Sequence, residues 1–234
     1  MAFESDALEV QAPGRHEASV IWLHGLGADG HDFEPLVPEL QLPRDHGVRF
    51  VFPHAPIRPI TVNGGMAMRG WYDVAEMDLT RREDESGIRA SARLIGDYIA
   101  REIGVGIPSE HIVIAGFSQG GAMALFAGLR FPLRLAGIVA LSAYLPLPDT
   151  LAAEAHPANA RTVVLMAHGT VDPIIPHEQG ERSAGLLQAR GYPLEWRSYR
   201  MAHAVCAEEV SAVAAWLRER LMTTLRNLES SNRL

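Results

Sequence analysis

Residues 116–120, Gly-Phe-Ser-Gln-Gly, constrain the fold more than any other stretch of this chain. They follow an apolar β-branched run, Ile112-Val113-Ile114, and open a small-residue segment, 121–129, of helical composition. A Gly-x-Ser-x-Gly segment between a strand and a helix makes a sharp turn. It holds the serine in a strained backbone conformation with its hydroxyl pointing away from the sheet. Glycine flanks the turn because a side chain two residues either side would crowd it. The helix that follows brings free N–H groups to the place where negative charge develops in acyl transfer. The segment therefore predicts an α/β architecture and a nucleophile, Ser118.

The rest of the chain alternates in the same way. Aliphatic and β-branched runs predict strands near 19–23, 48–52, 111–115, 136–142, 162–167 and 194–199. Helices are expected near 31–40, 85–103, 120–130, 177–190 and 207–221. The second of these carries Ile88, Ala92, Ile95, Ile99 and Ile103 on one face, with Asp84 or Ser86 as its cap. Alternation of this kind means a mostly parallel central sheet with helices on both faces. The segment 53–82 breaks the rhythm with proline, glycine and the cluster Trp71-Tyr72-Asp73. Either it folds over the sheet to line a substrate groove, or Trp71 anchors it to the core. The connection 143–160 is short, so no large cap domain is expected.

A serine needs a base, and the base needs a group to orient it. In the α/β-hydrolase fold these partners follow in the order Ser, Asp or Glu, His, at the ends of later strands. The run 161–167 (RTVVLMA) leads into the loop His168-Gly169-Thr170-Val171-Asp172-Pro173, which places Asp172 just beyond a strand. Its alternative role is an N-terminal cap for the next helix. His203 lies four residues past the run 194–199 (LEWRSY) and has the required order. Among the other histidines, His24 and His168 precede glycines at strand ends and are read as loop-shaping. His111 starts a strand and His177 a helix. His16, His31, His46, His54 and His156 are expected to be solvent-exposed. For the developing oxyanion, one donor is the N–H of Gln119. The second is the N–H of Leu26, in the Gly-rich loop His24-Gly25-Leu26-Gly27 after the first predicted strand.

The chain resembles the phospholipase/carboxylesterase family of small serine hydrolases, which includes the acyl-protein thioesterases. The resemblance rests on LHGLGADG (23–30), PHAPIRPITVNGGMAMRGWYD (53–73), GFSQGGAMAL (116–125), HGTVDPIIP (168–176) and MAHAVCAEE (201–209). It implies the α/β-hydrolase fold, Ser118 as nucleophile, His203 as base, Asp172 as orienter, and Leu26 and Gln119 as oxyanion donors. It further implies an acyl groove near Val74, Tyr144 and Ile174. Ala202 departs from the pattern, because many relatives carry glycine before the histidine.

Composition narrows the function. The chain has 234 residues, 47% of them hydrophobic, with no repeat or linker, so one α/β domain over 1–222 and a polar tail over 223–234 are expected. A formal charge of −7 argues against nucleic acid as a partner. All 21 basic residues are arginine, which rules out a lysine Schiff base, a P-loop lysine and a Ser-x-x-Lys mechanism. Cys206 is the sole cysteine, read as a small buried residue rather than a nucleophile. The opening residues lack a signal-peptide pattern and no apolar stretch reaches the ~20 residues of a membrane span, so a cytoplasmic protein without stable membrane insertion is expected. No metal or organic cofactor is required. Three functions stand open. The first is a serine carboxylesterase for short- to medium-chain acyl esters. The second is an acyl-protein thioesterase or lysophospholipase with the same triad, and the third a binding module on a hydrolase fold. Partners are then a small-molecule or lipid acyl ester or an S-acylated protein, with monomer and homodimer both open.

Overall fold

Runs of β-branched and aliphatic residues become strands covered on both faces. The computed structural model describes residues 6–76 and 83–222. Among these, nine strands form: β1 (Ala7–Val10), β2 (Ala18–Leu23), β3 (Val48–Pro53), β4 (Ile57–Ile60), β5 (Met66–Arg69), β6 (Ile112–Phe117), β7 (Gly137–Leu141), β8 (Val164–Gly169) and β9 (Leu194–Tyr199). Seven make one sheet in the order β1-β3-β2-β6-β7-β8-β9. All its pairings are parallel except β1 with β3. The sheet is thus mostly parallel, and the C-terminal ends of β2, β6, β8 and β9 share one edge, where open α/β sheets place their ligands.

The strand residues alternate between two cores. Ile21 and Leu23 of β2, with Ile112 and Ile114 of β6, enter one. Val20 and Trp22, with Val113 and Ala115, enter the other. The helices are α1 (Leu36–Glu39), α2 (Glu85–Gly104), α3 (Gln119–Arg130), α4 (Leu151–Glu154), α5 (His177–Ala189) and α6 (Ala207–Leu217). Helices α2 to α5 cover the first core, and α1 and α6 the second. Helix α2 starts where the Asp84 carboxylate accepts the Gly87 N–H at 2.9 Å, and it buries Ile88, Ile95, Tyr98 and Ile99. Helix α3 is buried from Gln119 to Leu129, which explains its Ala and Gly content.

Three expectations need correction. The helix expected over 31–40 is reduced to the single turn of α1, because Pro35 and Pro38 lack donors and restrict the residues before them. Strand β1 was not foreseen. The 53–82 excursion contains an antiparallel hairpin, β4 with β5, that turns through left-handed Gly64 and Gly65. Within the excursion, Trp71 is fully buried and its indole N–H donates to His24 O at 2.9 Å, so it anchors the segment to the core. Residues 77–82 of the excursion and the tail 223–234 lie outside the described residues. Between β7 and β8 the chain makes only short turns and α4, and no cap domain intervenes.

Candidate active site

The turn after β6 has the strained geometry its sequence requires. Ser118 sits at φ 55° and ψ −122°, and its N–H donates to Leu141 O at 2.8 Å. A Cβ at position 116 would lie 2.3 Å from the Gly120 backbone, and one at 120 would lie 2.1 Å from Leu23 O. Both glycines are therefore steric requirements of the crossing between β6, α3 and the end of β2.

The three predicted triad residues meet at one edge of the sheet. Ser118 Oγ lies 2.8 Å from His203 Nε2, and His203 Nδ1 lies 2.7 Å from Asp172 Oδ2. The carboxylate only accepts, so Nδ1 carries the proton and Nε2 accepts from the serine hydroxyl. The other oxygen, Asp172 Oδ1, accepts the N–H groups of Ile174 at 2.8 Å and Ile175 at 3.0 Å. Asp172 thus caps its own turn and not α5, whose first residue follows Pro176. The Phe117 ring packs on His203 with centroids 4.8 Å apart. Ala202 has no left-handed backbone, so glycine is not needed before the histidine.

The loop after β2 lies beside the serine. A Cβ on Gly25 would touch Ser118 Cβ at 3.4 Å. His24 pins this loop: its Nδ1–H donates to Gly25 O at 2.7 Å, and its Nε2 accepts the Ala55 N–H at 3.0 Å. Burial pushes the His24 imidazole down to about 4, so the ring is neutral. The Gly27 N–H donates to Arg69 O at 2.8 Å, tying the loop to β5. The N–H groups of Leu26 and Gln119 have no protein acceptor among the described residues.

The groove residues are divided. Tyr144 is buried, hydrogen-bonds Tyr72 Oη at 2.9 Å, and lines a mainly apolar pocket with Leu145, Pro148, Gln179, Arg182, Ser183 and Leu186. Val74 and Ile174 do not line it. Val74 packs half-buried on the core, and Ile174 is 46% exposed beside Val171 on the Asp172 turn. Sequence reasoning also missed the Gln119 side chain. Its Oε1 accepts the Trp71 N–H at 2.7 Å and its Nε2 donates to Tyr72 O at 2.8 Å, which staples the excursion to the serine turn. Apart from His31, the histidines expected to be exposed are half-buried. His46, His54 and His156 each accept a backbone N–H, and His16 lies 2.9 Å from Ser19 Oγ. Cys206 is half-buried at the start of α6, and burial raises its thiol, which disfavours a thiolate nucleophile. Among the described residues, no cluster of three His, Cys, Asp or Glu side chains suits a metal, and no helix is long and apolar enough to cross a membrane.

Fold and site geometry define a serine hydrolase of the α/β-hydrolase fold. A family model described as phospholipase/carboxylesterase matches residues 5–221, and the chain belongs to that family. It is 44% identical over 237 residues to acyl-protein thioesterase 1 of Neurospora crassa, covering 97% of this chain and 96% of the relative. The Gibberella zeae acyl-protein thioesterase 1 is 43% identical over 219 residues, covering 90% and 93%. The crystal structure of Zea mays acyl-protein thioesterase 2 superposes with a TM-score of 0.83 at 30% identity, covering 93% of this chain and 100% of that one.

Proposed function

We propose that this enzyme is an acyl-protein thioesterase that hydrolyses the thioester of S-acylated proteins through Ser118, His203 and Asp172. The observation that carries the chemistry is the unbroken hydrogen-bond chain from Ser118 Oγ through His203 to Asp172. The thioesterase relatives at 43–44% identity favour this substrate over the short- and medium-chain esters of a general carboxylesterase. Ser118 Oγ attacks the acyl carbonyl while His203 Nε2 takes its proton. The N–H groups of Leu26 and Gln119 receive the oxyanion. Collapse expels the thiol, protonated by His203, and leaves the acyl group on Ser118. Water, deprotonated by His203, then attacks the acyl-enzyme, and the free acid leaves as the proton returns to Ser118. Asp172 orients the imidazole through its hydrogen bond to Nδ1. The same machinery cleaves oxygen esters, so lysophospholipid or carboxylesterase turnover is a quantitative question of the leaving group and the acyl pocket at Tyr144. The test is kcat/KM across acyl esters from acetyl to palmitoyl, with a palmitoyl thioester alongside and Ser118→Ala as the blank. A maximum at long chains with the thioester preferred supports the proposal. A maximum at short chains overturns it in favour of a carboxylesterase.

A further inference from the structure

We propose that His168 is a positioning residue for the triad acid: its buried Nε2–H locks the 172–175 turn and so fixes the carboxylate that orients His203. This inference rests on the triad roles proposed above.

His168 lies in β8 and is fully buried, a costly place for an imidazole unless its polar atoms serve a purpose. Its Nε2 is 2.9 Å from Ile175 O. A carbonyl only accepts, so Nε2 carries the hydrogen. The same nitrogen is 3.4 Å from Asp172 Oδ2, the oxygen that holds His203. Nδ1 has no partner. Burial lowers the proton affinity of the ring, which favours its neutral form, and the Ile175 carbonyl selects the Nε2–H tautomer. The ring thus leaves one nitrogen unsatisfied in order to place one N–H. Ile175 is gripped at both ends of its backbone, its N–H by Asp172 Oδ1 and its C=O by His168.

Helix α5 provides a second, independent sign. Gly180 stands inside the helix, where glycine is unfavourable. A Cβ there would lie 2.4 Å from His168 Nδ1, so the helix forgoes a side chain to house the ring. Trp196 and His177 complete the walls, with centroids 6.2 and 5.9 Å from that of His168. The titratable groups around it are Asp172, His177 and His203.

The test compares His168→Leu, which removes the donor, with His168→Gln, whose amide N–H reaches the place of Nε2. Active sites are counted by fluorophosphonate burst, so that misfolded protein does not enter kcat. His168→Leu is expected to lower kcat about 10- to 100-fold, in line with sub-ångström misplacement of a catalytic group, with KM within about twofold. His168→Gln is expected to recover most of it. In the Asp172→Asn background, His168→Leu should cost under about threefold, because its effect passes through the acid. Gly180→Ala, which displaces the ring without altering it, should lower kcat by the same order. Equal losses in the Leu and Gln variants, or an undiminished loss in the Asp172→Asn background, would overturn the proposal. If His168→Leu does not fold, Gly180→Ala and His168→Gln decide: full kcat in the former or no recovery in the latter also overturns it. A wild-type enzyme that hydrolyses neither acyl esters nor the palmitoyl thioester would instead defeat the proposed function.

Discussion

Ser118 shows why a short sequence motif carries so much structural information. Its left-handed backbone is disfavoured for any residue with a side chain, and the flanking glycines are the only residues the crossing admits. Asp172 was legible because it follows an apolar run that reads as a strand, and His203 because it lies just past the alternating run 194–199 and is the histidine with the required chain order. What lay beyond reach were contacts with no local signal: the Gln119 amide bridging to Trp71 and Tyr72, and the Tyr72–Tyr144 pair. A buried polar side chain and an exposed one look alike in sequence, which is why four histidines expected at the surface turned out to be half-buried. The triad roles make a direct prediction. Ser118→Ala should abolish most turnover. Asp172→Asn should cost on the order of 10⁴-fold in kcat, by analogy with serine proteases, because it supports the wrong tautomer of His203. The Ser118→Ala/Asp172→Asn double variant should be little worse than Ser118→Ala alone. Steady-state rates on one ester settle this, and near-wild-type turnover in Ser118→Ala would sink the assignment.

At the scale of elements, legibility follows burial. The strands covered on both faces, β2, β6, β7 and β8, are continuous apolar runs and fell within two residues of their expected bounds. Strand β1 is half-buried throughout and carries Glu9, whose carboxylate pairs with Arg49 and Arg101, so it reads as polar coil. The β4–β5 hairpin contains Pro59 and exposed Ile57 and Met66, a pattern without clean alternation. Glycines separate the elements that are forced from those that are free. Gly120→Ala would drive a methyl into the Leu23 and His24 carbonyls, backbone that cannot yield without moving the Leu26 loop. It should destabilise the protein by about 1–3 kcal/mol or more and lower kcat in whatever folds. Gly185→Ala, in α5 with nothing within 4 Å of the new methyl, should stabilise by ~0.5–1 kcal/mol through helix propensity alone. Urea midpoints for the pair test both, and similar shifts of the same sign would contradict the steric reading.

Over the whole molecule, two buried carboxylates are treated in opposite ways. Glu102 is fully buried at the N-terminal end of the sheet, but it accepts from Ser19 Oγ at 2.7 Å and from Arg101 at 3.0 Å, with Arg49 Nη1 3.8 Å away. Glu209, in the first turn of α6, is equally buried and neither oxygen has a hydrogen-bond partner among the described residues. Burial raises its carboxyl to about 8 from an ordinary 4.5. The folded protein therefore holds a proton that the unfolded chain releases between these two values. Stability from this group is fully present below about pH 4.5, declines as the pH rises through the window, and is lost above about pH 8. Glu83, pushed up to about 7 by burial while it accepts the Leu147 N–H, acts in the same direction. Glu209→Gln keeps the shape of the protonated acid and removes the titration. The variant should match the wild type in thermal midpoint near pH 5 and exceed it by a widening margin up to pH 9. There the difference should reach a few kcal/mol, since each unit of pKa shift is worth about 1.4 kcal/mol. The Glu83 contribution is common to both proteins and cancels in the comparison. Parallel pH–stability curves would show that Glu209 ionises in the fold at no cost, and that its buried oxygens are solvated in some other way.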